Sequence, residues 1–176
     1  DKSTYLPGSF TNYSYDSSPL KRLLSETYPD GNSVRFTYGA EAGHFKLTRK
    51  NEKEYDSHTL TDFMGRTYKL IDALGGETTY KYTAKGDVAT ISSPAGGFSY
   101  DYDNRFRLVE KKVPGAKPSK FTYDDATDLL CVSIDGNGNR MSMVYDEYGR
   151  EVDVYHIEVD PEGEDRDCGT AGQKVI

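Results

Sequence analysis

The stretch that decides the fold is Tyr82–Asp103, which reads YTAKGDVATISSPAGGFSYDYD. Its two extended runs, Val88–Ser92 and Phe98–Tyr102, alternate apolar with small or polar residues. A Pro-Ala-Gly-Gly segment separates the two runs, and a Gly-Asp pair precedes the first. Extended runs bounded by glycine-containing turns predict a β-hairpin.

The same unit recurs along the chain. The pair Tyr-Asp that closes the stretch recurs at the repeat spacing at Tyr15-Asp16, Tyr123-Asp124 and Tyr145-Asp146, and degenerate pairs stand at three more places. The second residues of these pairs are Asp16, Gly39, Asp62, Thr83, Asp103, Asp124 and Asp146, at intervals of 23, 23, 21, 20, 21 and 22 residues. A near-constant period in this range is typical of a repeat architecture. We therefore predict an all-β fold, in which antiparallel hairpins from repeats of about 21 residues form one long, twisted and curved sheet.

Composition agrees with an ordered β-protein and excludes other classes. The 176 residues carry a net charge of −7 and include 15 Tyr, which supply large apolar surfaces with a polar tip. No basic stripe is present, which argues against nucleic acid as a partner. No apolar run approaches the roughly 18 residues of a membrane span, and no signal peptide precedes the pattern. No cofactor is expected.

The predicted domain boundaries follow the pattern. Residues 1–12 finish a preceding hairpin, residues 13–157 hold about seven repeats, and residues 158–176 form an acidic, flexible tail with six acidic and two basic side chains. The array begins in mid-pattern, so we expect an excised fragment or a mature product. Within it, Asp30-Gly31 marks a tight hairpin turn, whereas the charged segment 50–58 lacks a turn dipeptide and predicts a loose loop.

Two cysteines allow at most one bridge. Cys131 alternates within a predicted strand and Cys168 lies in the polar tail. This placement favours a buried thiol and an exposed thiol over a disulfide, although spacing alone leaves the redox state and the compartment open.

Counting from the Asp position predicts which face of the sheet is apolar. Residues two apart on a strand point the same way, so positions six and eight after the Asp form one stripe. These pairs are Phe45/Leu47, Tyr68/Leu70, Ala89/Ile91, Val109/Lys111, Leu130/Val132 and Val152/Val154, with Lys111 alone out of place. The incoming strands carry aromatic pairs such as Phe36/Tyr38 and Phe121/Tyr123. Cross-strand pairs of this kind contribute roughly 0.2–1 kcal/mol each.

The Asp and the Gly three residues later have an explanation in turn chemistry. An Asp at the start of a tight turn accepts hydrogen bonds from backbone N–H groups two residues on, and Gly supplies the positive φ that other residues resist. The repeat-defining residues are predicted to be structural: Tyr15, Asp16, Tyr38, Asp62, Gly65, Tyr82, Gly86, Tyr102, Asp103, Tyr123, Asp124, Tyr145, Asp146, Gly149 and Arg150.

The form Tyr-Asp-x-x-Gly-Arg, complete at Tyr145–Arg150, resembles the YD repeats of Rhs-family proteins, and the resemblance covers residues 13–157. The resemblance implies a long antiparallel sheet of successive hairpins that spirals into a shell. In bacterial Rhs and insecticidal toxin-complex proteins that shell encloses a C-terminal toxin, and in animal teneurins a similar barrel serves cell adhesion. This chain has fewer repeats than a closed shell, its first two repeats lack the Gly-Arg element, and no self-cleaving motif is seen.

Catalytic and metal-binding patterns are weak. His44, His58 and His156 are dispersed, and no Cys or His lies at a metal-ligand spacing. The segment Asp135–Asp146 counts like a calcium loop, but Arg140 stands where that loop needs Gly, which favours a hairpin turn.

Two functions therefore stay open, and neither is enzymatic. The first is a structural segment of a large secreted or cell-surface shell, whose partners are the neighbouring repeats and an enclosed toxin domain. The second is a surface module that binds carbohydrate or a partner protein through exposed Tyr and Asp side chains. An open sheet also predicts self-association through its edges.

Overall fold

The computed structural model describes residues 10–157. All regular structure in this part of the chain is β-strand, which confirms the predicted all-β class. The strands are β1 Asn12–Tyr15, β2 Leu23–Thr27, β3 Ser33–Glu41, β4 His44–Lys50, β5 Asp56–Thr61, β6 Thr67–Ile71, β7 Glu77–Tyr82, β8 Val88–Ser93, β9 Gly96–Tyr102, β10 Leu108–Lys112, β11 Ser119–Tyr123, β12 Leu130–Ile134, β13 Arg140–Tyr145 and β14 Glu151–Ile157. Their order in the sheet is their order in the chain.

The chain divides into two compact units. The first holds β1 to β6, most of β7 and Ser92–Pro94, and the second holds Tyr82–Ile91 and everything from Ala95 onward. Within each unit, consecutive strands pair antiparallel through short turns. The predicted tail, residues 158–176, and most of the predicted leading segment lie outside the described residues.

One face of the first compact unit carries the predicted apolar stripe. Tyr38 lies opposite Leu47, Leu47 opposite Thr59, and Thr59 opposite Leu70. Residues opposite one another in an antiparallel pair share a face, so Tyr38, Leu47 and Leu70 share this one. Val34, two strand positions further on the same face as Phe36 and Tyr38, is fully buried. The stripe predicted at Leu47 and Leu70 is thus confirmed.

The other face of this unit is covered by charged side chains with long stems. Leu60 is 2% exposed, and its two cross-strand neighbours are Lys46 and Lys69. The ammonium groups of these lysines pair with Glu41 and Glu77 at 2.6 and 2.9 Å. Lysine stems shield apolar surface while their charged heads stay in water, which explains how a single sheet buries a leucine on its polar face.

A β-bulge follows most of the Tyr-Asp turns. In each bulge one strand contributes an extra residue that has no partner in the ladder: Leu24, Tyr68, Val109, Cys131 and Val152. Bulges bend the strand and increase its local twist. In three repeats the bulge residue is the first member of the predicted apolar pair. Because this residue has no partner in the ladder, its place in the apolar stripe is less fixed than that of the second member.

The predicted pair Leu130/Val132 is wrong. Ser133 lies opposite Phe121 and Met141 on the aromatic face, whereas Val132 lies opposite Thr122 and Ser142 on the other face. The preceding turn closes with a bond from Asp124 N–H to the carbonyl of Leu129, one residue later than in the turns at Asp62, Asp103 and Asp146. A one-residue shift exchanges the two faces of a strand, so the stripe positions here are Cys131 and Ser133.

The loose loop predicted over residues 50–58 is also wrong. Asn51 closes a tight turn, with its N–H donating to the Tyr55 carbonyl at 3.0 Å. The Asn51 side-chain oxygen accepts the N–H groups of Lys53 and Tyr55, and Glu54 adopts a φ of 64°. Asn performs the role of Asp, and a non-glycine residue takes the left-handed position, so no turn dipeptide marks the segment.

Candidate functional site: the Tyr-Asp turns and the adjoining sheet faces

The turn that begins at Asp62 shows how each repeat reverses direction. The Asp62 N–H donates to the Arg66 carbonyl at 2.9 Å, and the Gly65 N–H donates to the Asp62 carbonyl at 3.0 Å. Gly65 has a φ of 78°, the left-handed region that glycine enters without steric cost. The same pair of backbone bonds closes the turns at Asp72, Thr83, Asp103, Asp135 and Asp146.

The carboxylate of the first residue fixes the turn from inside. One oxygen of Asp62 accepts the N–H groups of Met64 and Arg66 at 2.9 and 3.0 Å, and the other accepts Nε of Arg66 at 2.7 Å. Asp103 holds Arg107 in this way, and Asp146 holds Arg150. Hydrogen bonds to an ionised carboxylate are stronger than neutral ones.

These contacts set the protonation of the turn carboxylates. Partial burial of Asp62 and Asp103 disfavours the charged form, but the hydrogen bonds from the Arg at the turn's end outweigh it and lower the pKa. Backbone and side-chain bonds from Arg150 lower the pKa of Asp146. The hydroxyl of Ser18 is the largest cause that lowers the pKa of Asp16, to about 2. All four carboxylates are therefore ionised at neutral pH.

The repeated geometry extends from the Arg to a tyrosine two strands later in the chain. The guanidinium of Arg107 lies over the ring of Tyr123, 4.9 Å from its centre, and the Tyr123 hydroxyl donates to the Leu108 carbonyl at 2.9 Å. Arg22 and Tyr38 repeat this contact, also at 4.9 Å. Guanidinium groups are attracted to aromatic faces. Each such cluster links a turn, the bulge after it and the next Tyr-Asp strand.

The tyrosine hydroxyl contact recurs with nearly the same length. Tyr38, Tyr102, Tyr123 and Tyr145 donate to the carbonyls of Leu23, Val88, Leu108 and Leu130, each at 2.9 Å. In every case the acceptor is the first residue of the preceding strand, directly after a turn. Burial raises the pKa of Tyr102, Tyr123 and Tyr145, so the hydroxyl keeps the proton that it donates.

Neighbouring turns touch one another within the second compact unit. Arg105 and Arg107 both donate to the Asp128 carboxylate at 2.8 Å, and Arg107 also reaches Asp125 at 3.0 Å. One turn earlier, Nζ of Lys85 lies 3.5 Å from the centre of the Phe106 ring. Successive turns on this edge are therefore joined by ion pairs in one case and by a cation–π contact in the other.

At the opposite edge, the turns approach so closely that glycine is required. A Cβ at Gly136 would lie 2.7 Å from the Lys117 carbonyl oxygen, although the φ of Gly136 is not positive. A Cβ at Gly96 would lie 2.5 Å from the Pro114 side chain. These two glycines set the distance between adjacent turns.

The structure places the predicted site residues in these turns and strands. Tyr15 ends β1 with an exposed side chain, and Tyr82 ends β7 half-buried. Asp124 accepts bonds from Ala126 and Thr127 in the longer turn. Gly86 and Gly149 have φ values of 103° and 76°. Together they form a series of separate, similar clusters and not one common site.

Sequence reasoning missed two members of the series. Arg22 lies six residues after Asp16, not four, and still bonds to its carboxylate at 2.6 Å. Phe106 occupies the glycine position of its turn with a φ of 66°. The signal for Arg22 was available as an Arg directly before the next strand. Nothing in the sequence marks Phe106 as a residue in the left-handed region.

The prediction of a thiol at Cys131 is wrong. Cys131 is disulfide-bonded, and its side chain is buried on β12. The expectation failed because sequence spacing does not define which sulfur atoms meet. The prediction for Cys168 falls outside the described residues.

The aromatic face of the first compact unit is incompletely covered. Tyr13 and Tyr15 are 56% and 55% exposed, and Phe45 is 64% exposed. Tyr68 lies closer to the turns, with its ring stacked on His44 at 3.9 Å. On the opposite face, a shallow groove of about 240 Å³ is lined by Arg35, Thr37, Thr48, Lys50 and Asp56. Both faces thus offer surface to a partner.

The turn carboxylates already accept hydrogen bonds within their own turns, which limits their use as metal ligands. Within residues 10–157, no group of three His, Cys, Asp or Glu side chains is arranged to hold a metal ion. Asp135, the first residue of the calcium-like segment, accepts the N–H groups of Asn137 and Asn139 in a hairpin turn. In the same described range, no helix is long and apolar enough to cross a membrane.

Fold and turns together define a tandem array of Tyr-Asp β-hairpins. No family model matches the chain. A curated relative, double-stranded DNA deaminase toxin A of Burkholderia cenocepacia (strain H111), is 25% identical over 122 residues. This match covers 69% of the chain and 8% of the relative, so the chain spans only a small part of that protein's length.

Several solved structures share this fold. The TcdB2-TccC3-Cdc42 crystal structure matches with a TM-score of 0.69 and 14% identity, over 88% of this chain and 9% of that one. The Photorhabdus luminescens Tc holotoxin pore matches with a TM-score of 0.67 and 12% identity, over 89% of this chain and 9% of that one. The resemblance to YD-repeat toxin proteins predicted from sequence is confirmed.

Proposed function

We propose that the chain is a non-catalytic structural segment in the wall of a longer, secreted or cell-surface YD-repeat protein. The observation that carries this proposal is the use of the turn carboxylates. Asp62, Asp103 and Asp146 each bond to two backbone N–H groups and an Arg within their own turn. Carboxylates committed in this way build the array and are not available to a substrate.

The predicted domain limits and residue roles belong to this proposal. Residues 13–157 form the array, and the Tyr, Asp, Gly and Arg positions of each repeat hold successive hairpins together. The toxin-complex chains support the proposal by their fold. This chain matches a segment that makes up 9% of their length, as a part of a longer wall would. We assign to the parent protein the function of enclosing a toxin domain within the complete wall.

Exposed apolar surface supports the wall function. A sheet that forms a wall has one face toward an enclosed volume and one toward solvent or other layers, and exposed apolar patches mark surfaces that receive a partner. Phe45, Tyr13 and Tyr15 lie on such a patch in the first compact unit. In the complete protein, we expect one face of the sheet to be shielded.

Cysteine accessibility tests this expectation with a matched pair of variants on β3. Ala40 lies opposite Phe45 on the aromatic face, and Thr37 lies opposite Thr48 on the groove face; both are exposed. Ala40→Cys and Thr37→Cys are made in the isolated chain and in the full-length parent. Maleimide labelling is followed over time, and peptide mapping locates the label.

A wall predicts that both added cysteines react in the isolated chain and that only one reacts in the intact parent. Equal labelling of both in the parent would contradict the proposal. In that case the alternative, a surface module that binds carbohydrate through exposed rings such as Tyr13 and Tyr15, gains support if the isolated chain binds an oligosaccharide array. A Tyr13→Ala variant is the control for that binding.

A further inference from the structure

The contact between an Arg, a Tyr and a carbonyl at the start of a strand is always divided between two neighbouring strands. Arg107 ends the turn before β10, and Tyr123 ends β11, which pairs with β10. Arg22 and Tyr38 stand in the same relation on β2 and β3. One strand therefore supplies the Arg and the carbonyl, and the next strand supplies the Tyr.

The last strand of the described sheet, β14, presents the first half of this contact. β14 follows the turn that Arg150 ends, and its first residue, Glu151, stands where Leu108 stands in β10. The Arg150 side chain is 74% exposed, against 16% for Arg107. Its guanidinium lies over the ring of Tyr148 in its own turn, at 5.3 Å. β14 thus exposes both the Arg and the start of the strand.

The first strand of the described sheet, β1, presents the second half. Tyr15 ends β1 directly before a turn, as Tyr123 ends β11. Its side chain is 55% exposed, whereas Tyr102, Tyr123 and Tyr145 are half-buried. Antiparallel pairing sets the end of one strand beside the beginning of the other. Pairing of β1 with β14 would therefore bring Tyr15 to Glu151.

The described ladders also define the register of such a pair. Continued toward the turn, the ladders of β2 with β3, β10 with β11 and β12 with β13 set the acceptor residue opposite the residue before the Tyr. The same rule sets Glu151 opposite Ser14. Val152 and Tyr13, which are 60% and 56% exposed, then lie opposite one another. Cross-strand apolar pairs of this kind stabilise a sheet.

We propose that the β14 edge binds the β1 edge of a second copy of this chain, head to tail. Tyr15 of the second copy donates its hydroxyl to the Glu151 carbonyl, and the Arg150 guanidinium turns from Tyr148 to the incoming ring. Backbone groups along both edges pair at the same time. The two surfaces differ, so the contact is heterologous and lets further copies add. The inference rests on the repeated contact and not on the proposed wall function.

Light scattering after size exclusion measures the association. We expect the average mass to rise with concentration above that of one chain, within a series that extends to about 1 mM. Tyr15→Phe should raise the dissociation constant about fivefold, the effect of one hydrogen bond. Arg150→Gln should raise it about two- to fivefold through the lost cation–π contact. A single-chain mass throughout the series would overturn the proposal.

Each of these variants has a matched control inside the sheet. Tyr55 is 54% exposed but lies in the Asn51 turn, so Tyr55→Phe is the control for Tyr15→Phe. Arg66→Gln is the control for Arg150→Gln, because each Arg bonds to the Asp of its turn at 2.7 Å and Arg66 lies between β5 and β6. We expect neither control to change the dissociation constant. Equal weakening by a variant and its control would contradict the assignment of the edges.

Mixing two blocked variants tests the head-to-tail arrangement. Tyr15→Lys blocks the β1 edge, because the ammonium group meets Arg150 of the second copy, and Val152→Lys places a charge on the β14 edge. We expect each variant alone to remain a single chain and the mixture to form a complex with one copy of each, since one intact edge of each kind remains.

Circular dichroism shows whether the blocked variants keep their β-structure, and Tyr13→Lys replaces Tyr15→Lys if the latter does not. A mixture that stays at the mass of one chain would overturn the proposal. Association of either blocked variant with itself, as strong as that of the unsubstituted chain, would show that the copies meet elsewhere.

Discussion

Removing one hydroxyl group tests whether the tyrosines hold the array through their hydrogen bonds. The Tyr123 hydroxyl donates to the Leu108 carbonyl at 2.9 Å, and the side chain is half-buried. A hydrogen bond of this kind contributes about 1 kcal/mol net to stability. We expect Tyr123→Phe to lower the free energy of unfolding by about 1 kcal/mol, because the ring stays under the Arg107 guanidinium and only the bond is lost.

Urea unfolding of the isolated chain, followed by circular dichroism, measures this change. With a denaturant dependence of about 1–3 kcal/mol per molar, a loss of about 1 kcal/mol moves the midpoint down by roughly 0.3–1 M. Tyr148→Phe is the control, since that side chain is 75% exposed and its contact with Arg150 is through the ring. We expect no shift for the control.

Because the same hydroxyl contact recurs in other repeats, the prediction can be tested at two more positions. Tyr102 and Tyr145 make the same contact, also at 2.9 Å. Their Phe variants should therefore destabilise the chain by about the same amount as Tyr123→Phe, within the few tenths of a kcal/mol by which such values scatter. If Tyr123→Phe behaves like Tyr148→Phe, the hydroxyl contact does not stabilise the array and the reasoning fails.

The remaining predictions concern turns and acid stability. Gly136→Ala should cost about 1–3 kcal/mol, because its methyl group meets the Lys117 carbonyl, while Gly97→Ala, with ordinary contact distances, should not; thermal unfolding compares them. Ala42→Asn should stabilise by about 0.5–1 kcal/mol in urea unfolding, because residues 42 and 43 both have positive φ and Asn-Gly suits such a turn. For Asp16, a pKa lowered from 3.8 to about 2 means that ionisation stabilises the fold fully above pH 3.8 and that this contribution is lost as pH falls through 2. Thermal unfolding from pH 7 to 2 should show this decline, and Asp16→Asn should reduce it.

The repeat period was sufficient to predict the strands because the turns have a recognisable sequence pattern. Each Asp-x-x-Gly segment needs both a carboxylate acceptor and a residue with positive φ, and few sequences other than turns supply both at this spacing. The turn at Asp72 and the hairpins around Tyr102 and Tyr145 follow directly. Local chemistry therefore predicted the fold class.

The errors in placing turns and sheet faces have one physical origin, which is that a turn tolerates other residues at its Asp and Gly positions. Asn51 replaces Asp, while Glu54 and Phe106 replace Gly at a strain that the surrounding hydrogen bonds offset. The turn at Asp124 absorbs one more residue and exchanges the faces of β12. Counting along a sequence cannot detect a residue that a turn takes up, nor a bulge such as the one at Val109.

The identity between strand order and chain order has a consequence for how the protein is made. Each strand pairs with segments adjacent in sequence, so contact order is low and no strand must wait for a distant one to be synthesised. Most of the Asp-centred turns close within five residues, which allows a hairpin to form as soon as it emerges from the ribosome. Until the next hairpin arrives, the newest strand is a growing edge with unpaired backbone groups. Assembly is therefore vectorial, and the growing edge is the point most exposed to misassociation during synthesis.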